Sequence, residues 1–468
     1  MTQNSVSPNN TTTTPRKRQN TLIAVVIVVV VLVVIAGGLS YYYTSAKKKP
    51  TAPSDILIGM PYASSGSFAL SSGFVKTGFQ MWVNQTNAKG GLYLSEYGKT
   101  IPIKMVYLDD QSSTSTVATD YTNIITQDHV NILVSDFGST LVAPGIPIAK
   151  DNKVVFWDTT GSTPSFFNSS NPYLVDLAIQ SSALWPLSLS EFLVAQRSNI
   201  TRVAILYTSQ DFTTAQAATV DSYLTSHGIT PVYYQGTSDS SSSEYLTTLA
   251  AINSTHPDAV LEFGYDTNDI AFLTAMNSGH YHFNMTFTIY ASLETSLIAS
   301  SSPSGSLNYT YTYASPPLVS YSSVTLGPNT TQFVNEWKAN NSGKLPNYNN
   351  MAGFASGTLL GKIITVAGSL NQTALRAAAN ETSGATTMIG PFIINKTTGI
   401  QLGEGHYLMQ FQGNTSHPVV VYPTNVSTGS AVYPPPSILN ANFNGNSTPP
   451  LAPLSNYQLP DPSTGRQG

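Results

Sequence analysis

The chain has 468 residues, only 9% of them charged, and no cysteine, which excludes disulfides and thiolate metal sites. Its length points to two lobes with appendages rather than one core. Past residue 50 the net charge is −10, which argues against nucleic acid as a partner; Ser, Thr, Asn and Tyr supply the polarity instead, a surface suited to an acidic exterior.

The first 50 residues contain no acid. Residues 1–20 are polar and are expected to face the cytoplasm. The run TLIAVVIVVVVLVVIAGGL at 21–39 follows; as a helix it rises about 28 Å, enough to span a bilayer core, so it reads as a retained anchor rather than a cleaved signal. Arg16, Lys17 and Arg18 before it are matched by Lys47, Lys48 and Lys49 after it, so basic charge does not set its orientation. Sequons do. Fourteen N-x-[ST] triplets follow position 51, at Asn84, Asn168, Asn199, Asn253, Asn284, Asn308, Asn329, Asn340, Asn371, Asn380, Asn395, Asn414, Asn425 and Asn446. This is roughly twice the chance number, which places the C-terminal part outside the cell, carrying N-linked glycans.

After a linker at 40–54 the pattern alternates. DILIGM, IPIKMVYL, VNILVSD and KVVFW read as strands, separated by the helices FVKTGFQMWVNQTNAKGG, STVATDYTNIITQD and GSTLVAPGIPIAKDN. From LWPLSLSEFLVAQ onward the pattern restarts, with strands RVAILY, TPVYYQG, DAVLEFG and MTFTIY alternating with helices. Two βα runs of four strands imply an α/β fold of two doubly wound parallel sheets, which bind ligands at the carboxyl ends of their strands. In MAGFASGTLLGKIITVAG, glycines recur every fourth residue; this predicts a buried, tightly packed helix rather than a second membrane span. Residues 426–468 form a Pro/Asn/Ser-rich tail.

No hydrolase, zincin, Walker or dinucleotide motif is present, so no enzyme chemistry and no cofactor are expected. His280 and His282 share a face without a third ligand and read as incidental rather than metal-binding. Three loops at the carboxyl edge of the first sheet are rich in hydroxyls and glycine: YASSGSF with Ser65, DFGSTLVAP with Ser139 and Thr140, and WDTTGSTPSFF with Thr160 and Ser162. Ser139 and Ser162 suit helix caps; together the loops also suit a carboxylate held without arginine.

The order ILIGMPYASSGSF, IPIKMVYLDDQSS, NILVSDFGSTLVAPGIPIAKDNKVVFWDTTGSTPSFF, TRVAILYTSQDF, PDAVLEFGYDTND resembles the branched-chain amino-acid binding proteins, substrate-binding subunits of ABC importers with the type I periplasmic-binding fold. The resemblance covers about 55–425. It implies two lobes, 55–176 with 305–372 and 177–304 with 373–425, joined by a three-segment hinge. It also implies a solute site with Ser139 on the carboxylate, Thr160 and Ser162 beside it, and Phe212 and Tyr265 closing from the second lobe. The family's first-loop aromatic falls on Ser71, a departure that reshapes the side-chain pocket, with Phe68 as a substitute. Glu294 is the nearest match for the acid that pairs a ligand ammonium. Asp158, Asp211 and Asp266 are alternative acids that read as caps or surface residues. Sequon density, anchor and low charge resemble archaeal cell-surface proteins. The expected function is therefore delivery of a small solute, an amino acid or a related carboxylate or amide, to ABC permease subunits. A structural surface glycoprotein and a sensor ectodomain of the same fold are the alternatives.

Overall fold

The computed structural model describes residues 25–35, 50–403, 405–436 and 458–459. The helix Val25–Ile35 belongs to a separate N-terminal unit; the rest of the expected anchor, residues 21–24 and 36–39, lies outside the described residues, as do Asn446 and most of the tail. Among the described residues no single helix is long and apolar enough to cross a membrane.

From Ala52 onward the chain forms a second unit built on two sheets. The first contains β1 (Ile56–Tyr62), β2 (Ile103–Asp109), β3 (Ile132–Val134), β4 (Phe156–Asp158) and β5 (Leu174–Asp176), all parallel, in the order β2-β1-β3-β4-β5. The second contains β6 (Val203–Thr208), β7 (Tyr233–Thr237), β8 (Ala259–Phe263), β9 (Met285–Phe287), β10 (Tyr311–Ala314), β11 (Tyr407–Phe411) and β12 (Pro418–Tyr422), in the order β12-β11-β10-β9-β8-β6-β7. Its last two strands run antiparallel. Helices cover both faces of a parallel sheet, so the inner strands are mostly apolar and β3, β4, β8 and β9 are buried at every residue, Asp158, Glu262 and Thr286 included.

The expected strands are all present, and four more join them: β5 at the edge of the first sheet and β10, β11 and β12 in the second. Tyr311–Ala314 pairs with β9 and β11, so the chain stays with the second sheet past residue 305 and leaves it only after Ala314. The helix Gln372–Thr382 remains with the first sheet: Gln372 donates to the Asn131 carbonyl (3.0 Å) and accepts from the Val155 amide (2.9 Å). The final return to the second sheet comes near residue 405.

The glycine-spaced helix, Tyr348–Ala367, lies backbone to backbone on the helix Ala69–Ala88. A Cβ at Gly353 would stand 2.0 Å from the Val75 carbonyl oxygen, and one at Gly78 would stand 1.9 Å from that of Asn350. Trp82 fills the notch at Gly357 and Gly361. Asn347 starts the helix with a reciprocal capping box to Asn350, and Gly368 ends it in the left-handed conformation.

Candidate functional site

The three hydroxyl loops leave the carboxyl ends of β1, β3 and β4, and two of them meet. Gly138, with φ +73°, turns the chain after β3 and donates its N–H to Thr160 Oγ1 at 2.8 Å. The expected helix 138–152 is in fact two short helices, Gly138–Val142 and Gly145–Asp151, because Pro144 has no N–H to carry the ladder through. Neither Ser139 nor Ser162 caps a helix. Ser139 is fully buried and its Oγ accepts from Thr163 Oγ1 at 2.8 Å. The Ser162 hydroxyl is fully buried without a hydrogen-bond partner. Asp158 ties the loop from within, accepting from the amides of Thr160 (3.1 Å) and Gly161 (2.7 Å); burial nevertheless pushes its carboxyl up to about 7. The first-loop residue Ser65 does not join the group. It is exposed, and its carbonyl accepts from Ser112.

Aromatic rings that follow strands of the second sheet face this loop cluster. Tyr265, at the end of β8, packs its ring against Phe68 (5.2 Å between centroids), Phe137 (6.1 Å) and Phe212 (5.6 Å). Thr140 neighbours its hydroxyl. Phe68 thus takes an aromatic place beside Tyr265, while Ser71 stands one turn further along the same helix. Phe212 meets Trp185 edge-on at 5.3 Å, and Trp185 lies flat on the His406 imidazole at 3.7 Å. Burial holds His406 far below its ordinary value, at about 3, so this ring is neutral. Phe137, Gly138, Thr160, Phe212, Tyr265 and Tyr348 are among the walls of a cavity of about 10 Å³. That is the space of one water molecule, so the rings must part for anything larger to enter.

Behind the rings, polar side chains join elements of the two sheets. Ser71 Oγ lies 2.7 Å from Glu294 Oε1 and 3.1 Å from Asp266 Oδ2, and Asn349 Nδ2 also donates to Glu294 Oε1. All four residues are buried. Burial first, then the neighbouring Asp266, raises the Glu294 carboxyl to about 8; burial also raises Asp266. Asp266, read from sequence as a cap or surface residue, is therefore an interior cleft residue, whereas Asp211 is exposed at the start of its helix as expected. Sequence reading named Asp266 only as an alternative acid and did not single out Asn349, Trp185 or Tyr348. The signal for Asp266 was its position directly after a matched tyrosine; the other three carried none.

The arrangement can hold a small anion against hydroxyls and amides of one lobe, clasp an apolar body between rings, and meet a cationic group at the Asp266–Glu294 pair. His280 and His282 stay exposed on their loop, and no group of three metal-ligating side chains occurs among the described residues.

The profile of the periplasmic binding protein family matches residues 55–416. Among solved structures, the fold is similar to a leucine-binding protein from Thermotoga maritima (TM-score 0.62, 16% identity, covering 76% of this chain and 95% of that one). It is similar to a branched-chain amino acid transporter substrate-binding protein from Streptococcus pneumoniae, solved with isoleucine (0.65, 17%, 79% and 100%). A solute-binding protein from R. palustris, solved with benzoate, is alike to the same degree (0.63, 15%, 81% and 97%).

Proposed function

The chain belongs to the periplasmic binding protein family, and from that premise we propose that it is an extracellular solute-binding protein serving an ABC permease. The observation that carries the reading is the small cavity walled by Gly138 and Thr160 on one side and the rings of Phe212 and Tyr265 on the other, with the buried hydroxyls of Ser139 and Ser162 on the same two loops. A carboxylate would replace the missing partner of Ser162 and displace the Thr163–Ser139 bond. An apolar side chain or ring would part Phe212 from Tyr265. Isoleucine and benzoate, the ligands of two similar structures, share that chemistry: a carboxylate on an apolar body.

Closure of the second lobe then completes the site, and the closed form is what a permease reads. The apolar run at 21–39 anchors the protein, with the two-sheet unit outside the cell. The described sequon asparagines fit glycosylation there: all are exposed except Asn308 and Asn380, which are half-buried. Asn329 and Asn371 also cap helices through their side-chain oxygen, which a glycan on the nitrogen leaves free.

Thermal unfolding of the full chain with leucine, isoleucine or benzoate tests the reading, because a solute that binds only the folded state raises the Tm by mass action. A shift that grows with solute concentration and is abolished in Ser139→Ala is expected. No shift with any of the three, together with concentration-dependent self-association, would favour a structural surface role.

A further inference from the structure

The fold sorts the described N-x-[ST] triplets to the ends of the sheets where strands begin. In the first sheet, Asn84 lies one turn before Asn87, whose side chain bonds both backbone groups of Ile103 at the start of β2. Asn168 is on the loop leading into β5. Asn371 precedes Gln372, which is bonded to Asn131 and Val155 just ahead of β3 and β4. Arg376 joins Asn380 to the carbonyls of Pro172 and Lys396, close to the start of β5 and to Asn395. In the second sheet Asn199, Asn253, Asn284 and Asn308 precede β6, β8, β9 and β10, and Asn414 joins that end because β11 runs antiparallel to β10. Asn425 follows β12 at the opposite end, and Asn329 and Asn340 flank a helix outside the sheets. The loops that meet at the cleft carry no triplet. Asparagines there, Asn268, Asn347, Asn349 and Asn350, have no Ser or Thr two positions on.

Local backbone then decides what each carboxamide can do. At Asn168 and Asn414 the chain turns and the third residue of the triplet folds back. Ser170 donates to Asn168 Oδ1 through its N–H (3.0 Å) and its hydroxyl (2.5 Å), and Ser416 does the same to Asn414 Oδ1 (2.9 and 2.5 Å). Asn371 Oδ1 accepts the Thr373 amide at 3.0 Å, and Asn395 Oδ1 the Thr397 amide at 2.9 Å. In these four the Nδ2 group donates to no described residue. Donors gathered on Oδ1 stabilise the negative charge that builds on the carboxamide as Nδ2 gives up a proton. Asn380 is the opposite case. It sits half-buried inside the helix Gln372–Thr382, with Arg376 Nη1 on its Oδ1 at 2.6 Å and its Nδ2 3.4 Å from the Lys396 carbonyl. The hydroxyl of its triplet, on Thr382, is buried and donates to the Ala378 carbonyl at 2.8 Å instead.

We infer that this chain receives its N-linked glycans after folding, on the turn triplets at Asn168, Asn371, Asn395 and Asn414, and that Asn380 is passed over. The coat then covers the ends of the sheets away from the cleft and leaves the cleft rim bare. The inference rests on the extracellular placement proposed above. The donor is a lipid-linked sugar phosphate. Its anomeric carbon–oxygen bond breaks as the bond from that carbon to Nδ2 forms, and the proton lost from Nδ2 leaves with the departing phosphate, so atoms and charge balance.

Site-resolved glycopeptide mass spectrometry of the full chain, produced in a host that N-glycosylates, tests this. Glycan is expected at Asn168, Asn371, Asn395 and Asn414 and is expected to be absent at Asn380. Arg376→Ala takes the guanidinium off the Asn380 carboxamide and is expected to raise occupancy there while leaving Asn168 unchanged. Should that variant fail to fold, the ratio of Asn380 to Asn168 occupancy in the unmodified chain decides. Asn380 filled as fully as Asn168 overturns the proposal, because the folded helix then exerts no selection. Protease added to intact cells separates this failure from failure of the extracellular placement. A chain without glycan that is cut from outside overturns the glycan sites and keeps the placement; a chain without glycan that stays protected overturns both.

Discussion

Thr160 and Ser162, two residues apart on one loop, make opposite use of a hydroxyl. Thr160 accepts a buried amide, so Thr160→Val strands the Gly138 N–H and is expected to cost about 1–3 kcal/mol in urea denaturation. Ser162 leaves its hydroxyl buried and unpaired, so Ser162→Ala is expected to leave stability level or raise it, while weakening the carboxylate solute in the same titration. A matching loss of stability in both variants would make Ser162 a framework residue. The strand pattern set Ser139, Thr160 and Ser162 on loops at strand ends, where the structure has them, whereas Phe212 and Tyr265 were pointed out only by the resemblance to the family. Asp266 was not legible as a cleft residue, since an aspartate opening a helix looks like any cap; only its approach to Ser71, 195 residues away in the chain, shows otherwise.

The helices Ala69–Ala88 and Tyr348–Ala367 pack backbone to backbone, with Asn350 Nδ2 donating across to the Phe74 carbonyl at 3.0 Å. Gly353→Ala would drive a methyl into the Val75 carbonyl and is expected to destabilise by about 1–3 kcal/mol or more, read as a fall in Tm. Gly73→Ala is the control: on the same helix pair its Cβ meets nothing within 4 Å, and the gain in helix propensity is expected to leave Tm level or slightly higher. Four-residue glycine spacing announced this contact in the sequence. The strands that went unread had weaker signals. β5 is three residues behind an Asn- and Pro-rich turn, β10 reads YTYA between polar runs, and β11 and β12 follow a long stretch without βα alternation. Their pairing is decided by the sheet edges they complete, which no local pattern encodes.

Across the whole molecule, buried carboxyls recur in pairs without basic partners: Asp110 with Asp136, Glu262 with Asp269, and Asp266 with Glu294. Burial raises all six, Glu262 to about 7 and Glu294 to about 8; Asp158 stands at about 7 and Asp120 at about 6. An acid whose folded pKa exceeds its unfolded one, near 4, stabilises fully below pH 4 and loses that contribution as pH rises through the folded value. His406, held at about 3, works the other way: its contribution is present above about 6.5 and is lost as pH falls towards 3. One histidine stands against several acids, so Tm is expected to fall from pH 5 to pH 8, and a flat or rising profile would contradict the protonated pairs. The chain thus carries its charge economy inward as well as outward, as an acidic exterior would demand. The Trp185–His406 stack has a mechanical corollary. It ties the first passage between the sheets to the last, so a displacement of one connector is expected to carry the other with it.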